Sequence, residues 1–114
     1  MSKSIEEFLE KYITHDPRMY SVVYDPKSQT LSFKLENVEW VQKKYEKENR
    51  FFTELDIVFH DVINLNSNKN LADIDESILG IYLDGKNTVS IVLDEENYPV
   101  IKFSAKSVEV KEIE

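Results

Sequence analysis

The stretch Leu55-Asp56-Ile57-Val58-Phe59-His60-Asp61-Val62 decides how this chain folds. Its apolar residues Leu55, Ile57, Phe59 and Val62 stand at offsets 0, 2, 4 and 7. The same offsets return in Leu31, Phe33, Leu35, Val38 and in Ile101, Phe103, Ala105, Val108. Alternation with period two is the mark of a strand that buries one face. A regular strand would turn the offset-seven residue to the opposite side. One inserted residue, a β-bulge, returns it to the buried side and adds twist. The residue before each valine is small and polar (Asn37, Asp61, Ser107), which suits such a bulge. The pattern predicts three long strands with bulges near 36–37, 60–61 and 106–107, all burying one face.

Upstream, Ser4 and Glu7 have the spacing of a capping box, and Ile5, Phe8, Leu9, Tyr12 and Ile13 follow at helical spacing. A helix is predicted over about 4–14, ended by Asp16-Pro17, because the residue before proline disfavours helix. Beyond it the chain reads as antiparallel β. Met19–Tyr24 is a short β-prone run, and Asp25-Pro26-Lys27-Ser28 has the residues of a type I turn. Thr30–Val41 alternates. Asp84-Gly85-Lys86-Asn87 separates two alternating runs, Ile78–Leu83 and Thr88–Asp94, as a hairpin turn would. Glu95-Glu96-Asn97 turns the chain again before Tyr98–Ala105. Gln42–Arg50 fits either a charged hairpin loop or a short helix, and Leu65–Ser77 fits a polar loop with one helical turn. The expectation is a single α+β, mainly β domain over 1–114, β-rich over 19–112. Its N-terminal helix packs on a strongly bent antiparallel sheet of five to seven strands with β-bulges.

Composition bounds the function. The 114 residues are 41% hydrophobic and 32% charged, enough apolar material for a core without disulfides or metals. With 22 acids against 14 bases the net charge is −8, which repels phosphate and argues against nucleic acid and anionic membrane as partners. The absence of cysteine excludes disulfides, thiol nucleophiles and zinc-thiolate sites, and two glycines cannot build a phosphate-cradling loop. Glu6 and Glu7 stand where a secretory signal needs an apolar core, so the cytoplasm is the expected location. Abundant Lys, Asn, Ile and Glu suit a bacterial source.

Candidate chemistry is sparse. His15-Asp16 and His60-Asp61 could be joined into a His/Asp metal site, but two imidazoles are too few. The simpler reading puts His15 at a helix C-terminus and His60 on a solvent face. Asn64, Asn66, Asn68 and Asn70 alternate like a calcium loop, yet no carboxylate fills the early ligand positions. Lys43, Lys44, Lys47 and Arg50, with Tyr45, Phe51 and Phe52 interleaved, form the one basic cluster, diluted by Glu46 and Glu48. It reads as a solvated hairpin tip, and Trp40 reads as core. Asp94-Glu95-Glu96 reads as a solvated turn rather than an acid–base dyad. No cofactor is implied, and no catalytic constellation is found.

The layout of a short acidic chain, a capped helix and bulged hairpins ends in Val100-Ile101-Lys102-Phe103-Ser104-Ala105 and Ser107-Val108-Glu109-Val110. It resembles small uncharacterised bacterial proteins grouped with the immunity proteins of polymorphic toxin systems. That resemblance implies a non-enzymatic protein that binds and blocks a toxin, and the acidic surface favours a basic partner. The exposed acids of the final hairpins, Asp84, Asp94, Glu95 and Glu96, are the candidate partner-binding residues. Two rivals stand beside it. One is a small-ligand binder whose concave face is lined by Phe33, Trp40, Phe59 and Tyr82. The other is a structural module that self-associates through a strand edge.

Overall fold

The computed structural model describes residues 2–12, 17–36 and 54–113. The elements in chain order are β1 (Ser2–Lys3), α1 (Ile5–Lys11), β2 (Arg18–Asp25), β3 (Thr30–Glu36), β4 (Glu54–His60) and β5 (Ile63–Ser67). A 3-10 turn (Leu71–Asp73) precedes β6 (Glu76–Asp84), β7 (Thr88–Leu93), β8 (Val100–Ser104) and β9 (Ser107–Ile113). All strand pairs are antiparallel, in the order β1-β9-β4-β3-β2-β6-β7-β8-β5. Among the described residues the fold is mainly antiparallel sheet with one short helix, as the sequence predicts. Its described residues hold eight strands of five or more residues plus the two-residue β1, which corrects the expected five to seven.

The extra strands arise because the two longest extended segments each break at a corner. His60 faces Ser107 in the β4–β9 pair, and Ile63 faces Ser104 in the β5–β8 pair. Two residues on each chain, Asp61-Val62 and Ala105-Lys106, lie between those pairs, so one register runs through both halves. A bulge would set two residues against one. Here both chains turn together, with Asp61 at φ 57°. The corner is tied by Val62 N–H to the Gln29 carbonyl (2.8 Å), Ala105 N–H to Asn87 (2.9 Å) and Lys106 N–H to His60 (3.1 Å). β4 therefore runs into β5 and β8 into β9 as one folded ribbon. The β2–β6 pairing, Arg18 opposite Ser77 and Met19 opposite Glu76, joins the two sheet halves on the other side. The pairings thus close into a ring.

The bulges expected near 60–61 and 106–107 are accordingly replaced by this coupled corner. The register shifts that do occur lie elsewhere. Ser21 and Val22 face Phe33, Asn64 and Leu65 face Phe103, and Leu79 is the extra residue between Ile78 and Gly80. Ser21 and Asn64 take positive φ, 54° and 57°. The buried face is nonetheless the one the repeat predicts. Leu31, Phe33, Leu35, Leu55, Ile57, Phe59, Val62, Ile101, Phe103, Ala105 and Val108 are all buried. Val38 and Asn37 of the bulge expected at 36–37 lie outside the described residues, as do His15, Trp40 and the Gln42–Arg50 segment.

Helix α1 begins as expected and ends sooner. Ser4 Oγ accepts the Glu7 N–H (3.1 Å) and donates to the Glu7 carboxylate (3.2 Å), so the box closes through the hydroxyl rather than the Ser4 backbone. Tyr12 is the extended C-cap, where the sequence pattern carries the helix to 14. Ile5, Phe8 and Tyr12 point into the core, and the Phe8 ring meets Phe59 edge-on at 6.3 Å. Phe59 also meets Phe33 (6.1 Å) and Phe103 (5.0 Å), joining the helix to three strands. No polar or charged side chain is buried among the described residues.

Candidate functional site

Among the described residues the polar and charged side chains lie at or near the surface. The turn between β7 and β8 is its most distinctive feature. Leu93 N–H bonds the Pro99 carbonyl (2.9 Å), Tyr98 N–H bonds Glu95 (2.8 Å), and Asp94 N–H bonds Ser77 at the start of β6 (3.0 Å). These bonds close a tight loop over two successive left-handed residues, Asn97 (φ 67°) and Tyr98 (φ 44°). Left-handed backbone is unusual for a bulky side chain, and such strain costs of order 1–3 kcal/mol. It leaves the Tyr98 ring 60% exposed beside the exposed Asp94 and Glu96.

The third acid of the turn is engaged. Lys69, just after β5, donates to Glu76 Oε1 (2.6 Å) and to Glu95 Oε2 (2.8 Å). Burial lifts the Glu76 carboxyl above the ordinary carboxylate range, while Lys69 and the Glu76 carboxyl hold Glu95 below it. No local pattern signals this shielding, because Lys69, Glu76 and Glu95 meet only in three dimensions.

Of the four candidate acids, Asp94, Glu95 and Glu96 share this turn. Asp84 sits at the far end of β7, in the β6–β7 hairpin, where Gly85 takes the positive φ (73°) that the three-residue loop requires. Six residues of strand separate the two ends, about 20 Å. The four residues therefore do not form one patch. The missed member is Tyr98, read from its β-propensity as the start of a strand; the adjacent Pro99 was the available signal that the strand begins later.

The remaining candidates take structural roles. His60 Nε2 lies 3.1 Å from Glu109 Oε1 on the neighbouring strand, and no group of three metal-ligating side chains occurs among the described residues. Asn70 caps the 3-10 turn by accepting the Ala72 N–H (3.2 Å), and Asn68 accepts that of Val100 (3.4 Å). Phe33 and Phe59 are buried against each other whereas Tyr82 is 53% exposed, so these three rings line no shared cavity. A depression of about 230 Å³ lies instead on the outer face, between Ser21, Ser32, Lys34, Asp56 and Val58. Its lysine is already paired with Asp56 at 2.7 Å. No helix among the described residues is long and apolar enough to cross a membrane. Comparison with protein-family models, curated proteins and solved structures finds no match to this chain.

Proposed function

We propose that this chain is a non-enzymatic protein-binding domain that captures a basic partner, as an immunity or inhibitor protein of the bacterial cytoplasm does. The observation that carries the reading is the β7–β8 turn, an exposed aromatic beside two exposed acids on a closed sheet. Tyrosine supplies large contact area with few rotatable bonds, and aromatic anchors dominate binding energy at interfaces. Asp94 and Glu96 have no cationic partner among the described residues, so both are available to a lysine or arginine from outside. The net charge of −8 steers such a partner during encounter.

The test is capture from a lysate of the native host at low and high salt, with wild type and an Asp94→Lys/Glu96→Lys/Tyr98→Ala variant. The reading expects a basic protein that is retained at low salt, released at high salt and lost by the variant. Absence of any salt-sensitive basic partner, or a complex that the variant leaves intact, rejects it.

A further inference from the structure

Tyr98 carries two conflicts with its own backbone. Its φ of 44° crowds the Cβ atom, and it precedes Pro99, whose ring pushes the preceding residue toward extended conformations. A residue stays in such a state only where its surroundings over-determine it. The backbone bonds inside the turn cannot do this alone, because they would re-form in other turn types. What fixes the turn from outside is Asp94 N–H on the Ser77 carbonyl, the Lys69 bridge to Glu95 and, at its exit, the pairing of Val100 with Asn68.

We propose that Lys69 is a latch that holds the β7–β8 turn in its strained form. Its ammonium reaches from the segment after β5 and grips β6 through Glu76 and the turn through Glu95, at 2.6 and 2.8 Å. The side chains of Lys69 and Glu76 are only 24% and 16% exposed and that of Glu95 is 38% exposed, so the Glu76 arm of the bridge is shielded from water and the Glu95 arm lies nearer the surface. Without the cation, Glu76 and Glu95 would face each other as like charges. The turn would then be pushed away from β6 as well as released. Lys69 is thus a positioning residue for Tyr98 and Glu96, and it keeps Glu95 out of the exposed set. The latch is a property of the free protein and goes beyond the binding reading, so a failed capture experiment would leave it standing.

The test is nuclear magnetic resonance on Lys69→Met, which keeps the aliphatic stem and removes the charge. The Tyr98 amide should exchange about tenfold faster, as local opening becomes easier, and its HN–Hα coupling should leave the value of a positive φ. Amides of β3 and β4 should not change. Adding Glu76→Gln to Lys69→Met removes the repulsion and should restore part of the protection. Lys102→Met, at an exposed lysine of β8, should leave Tyr98 as in wild type. Unchanged Tyr98 exchange and coupling in Lys69→Met, or an equal change in Lys102→Met, overturns the proposal.

Discussion

Replacing Phe59 with alanine removes the ring through which most of the core is joined. Phe59 is fully buried, and its ring centroid lies 5.0 Å from Phe103, 6.1 Å from Phe33 and 6.3 Å from Phe8. A buried Phe→Ala change costs about 3–5 kcal/mol through lost transfer energy and the cavity left behind. Three aromatic neighbours place this site toward the upper end, since ring pairs add about 0.5–1.5 kcal/mol beyond area burial. A domain of this size has about 5–15 kcal/mol in total, so the variant keeps little margin. At roughly 4 °C per kcal/mol the melting temperature should fall by about 15–20 °C. Urea unfolding followed by circular dichroism measures the loss, with an unchanged m-value showing that the same surface is exposed. Tyr82→Ala, at a ring 53% exposed, is the control and should cost under about 1 kcal/mol. A Phe59→Ala loss below about 1.5 kcal/mol, or one equal to that of Tyr82→Ala, would refute the packing argument.

Other substitutions probe the surface. A Cβ at Gly80 would stand 2.8 Å from the Tyr82 hydroxyl oxygen, the far end of a flexible exposed side chain that can swing aside. Gly80→Ala should therefore shift stability by less than about 1 kcal/mol, and should stabilise in a Tyr82→Ala background by removing glycine's backbone freedom; a cost above about 2 kcal/mol in both backgrounds would contradict this. The Tyr20 hydroxyl donates to the Glu54 carboxylate, which pushes its pKa up to about 12, so ultraviolet titration of the six tyrosines should show a late step that Tyr20→Phe removes. Arg18 Nε donates to Asp75 at 2.6 Å and holds that carboxyl below its usual range. A carboxyl lowered in the folded state stabilises above its unfolded value, near pH 4, and loses that contribution as pH falls through its folded value. Arg18→Gln should therefore lower the melting temperature at neutral pH and narrow its gap to wild type in acid; a gap that widens in acid would contradict the sign.

The capped start of α1 and the hairpin at Asp84–Asn87 were legible because their signals are local. Ser4 needs only Glu7, and the hairpin needs only a residue tolerant of positive φ between two alternating runs. The inward faces of β3, β4 and β8 were legible for the same reason. The corner was not. An offset of seven shows that the face is reset, but an extra residue in one strand and a bend shared by two strands leave the same trace in a single sequence. Only the pairing of His60 with Ser107 and of Ile63 with Ser104 tells them apart. β5 was hidden because it buries little: Ile63 is 48% exposed and its neighbours are polar, so the strand reads as loop. The engagement of Glu95 was hidden by distance along the chain, since Lys69 lies 26 residues away. Tyr98 reads as strand-forming from its side chain, and the left-handed backbone that exposes it is set by bonds outside its own segment.

Hydrogen exchange at the Val62 and Ala105 amides tests the closed, folded ribbon most directly, because each donates to a turn carbonyl, Gln29 and Asn87, from the other side of the corner. If the ribbon folds as described, both amides are protected together, to a level comparable with the centre of β4, although neither lies in a regular strand. Rapid exchange at both positions, with β4 and β8 still protected, would show that the ribbon does not close at that corner.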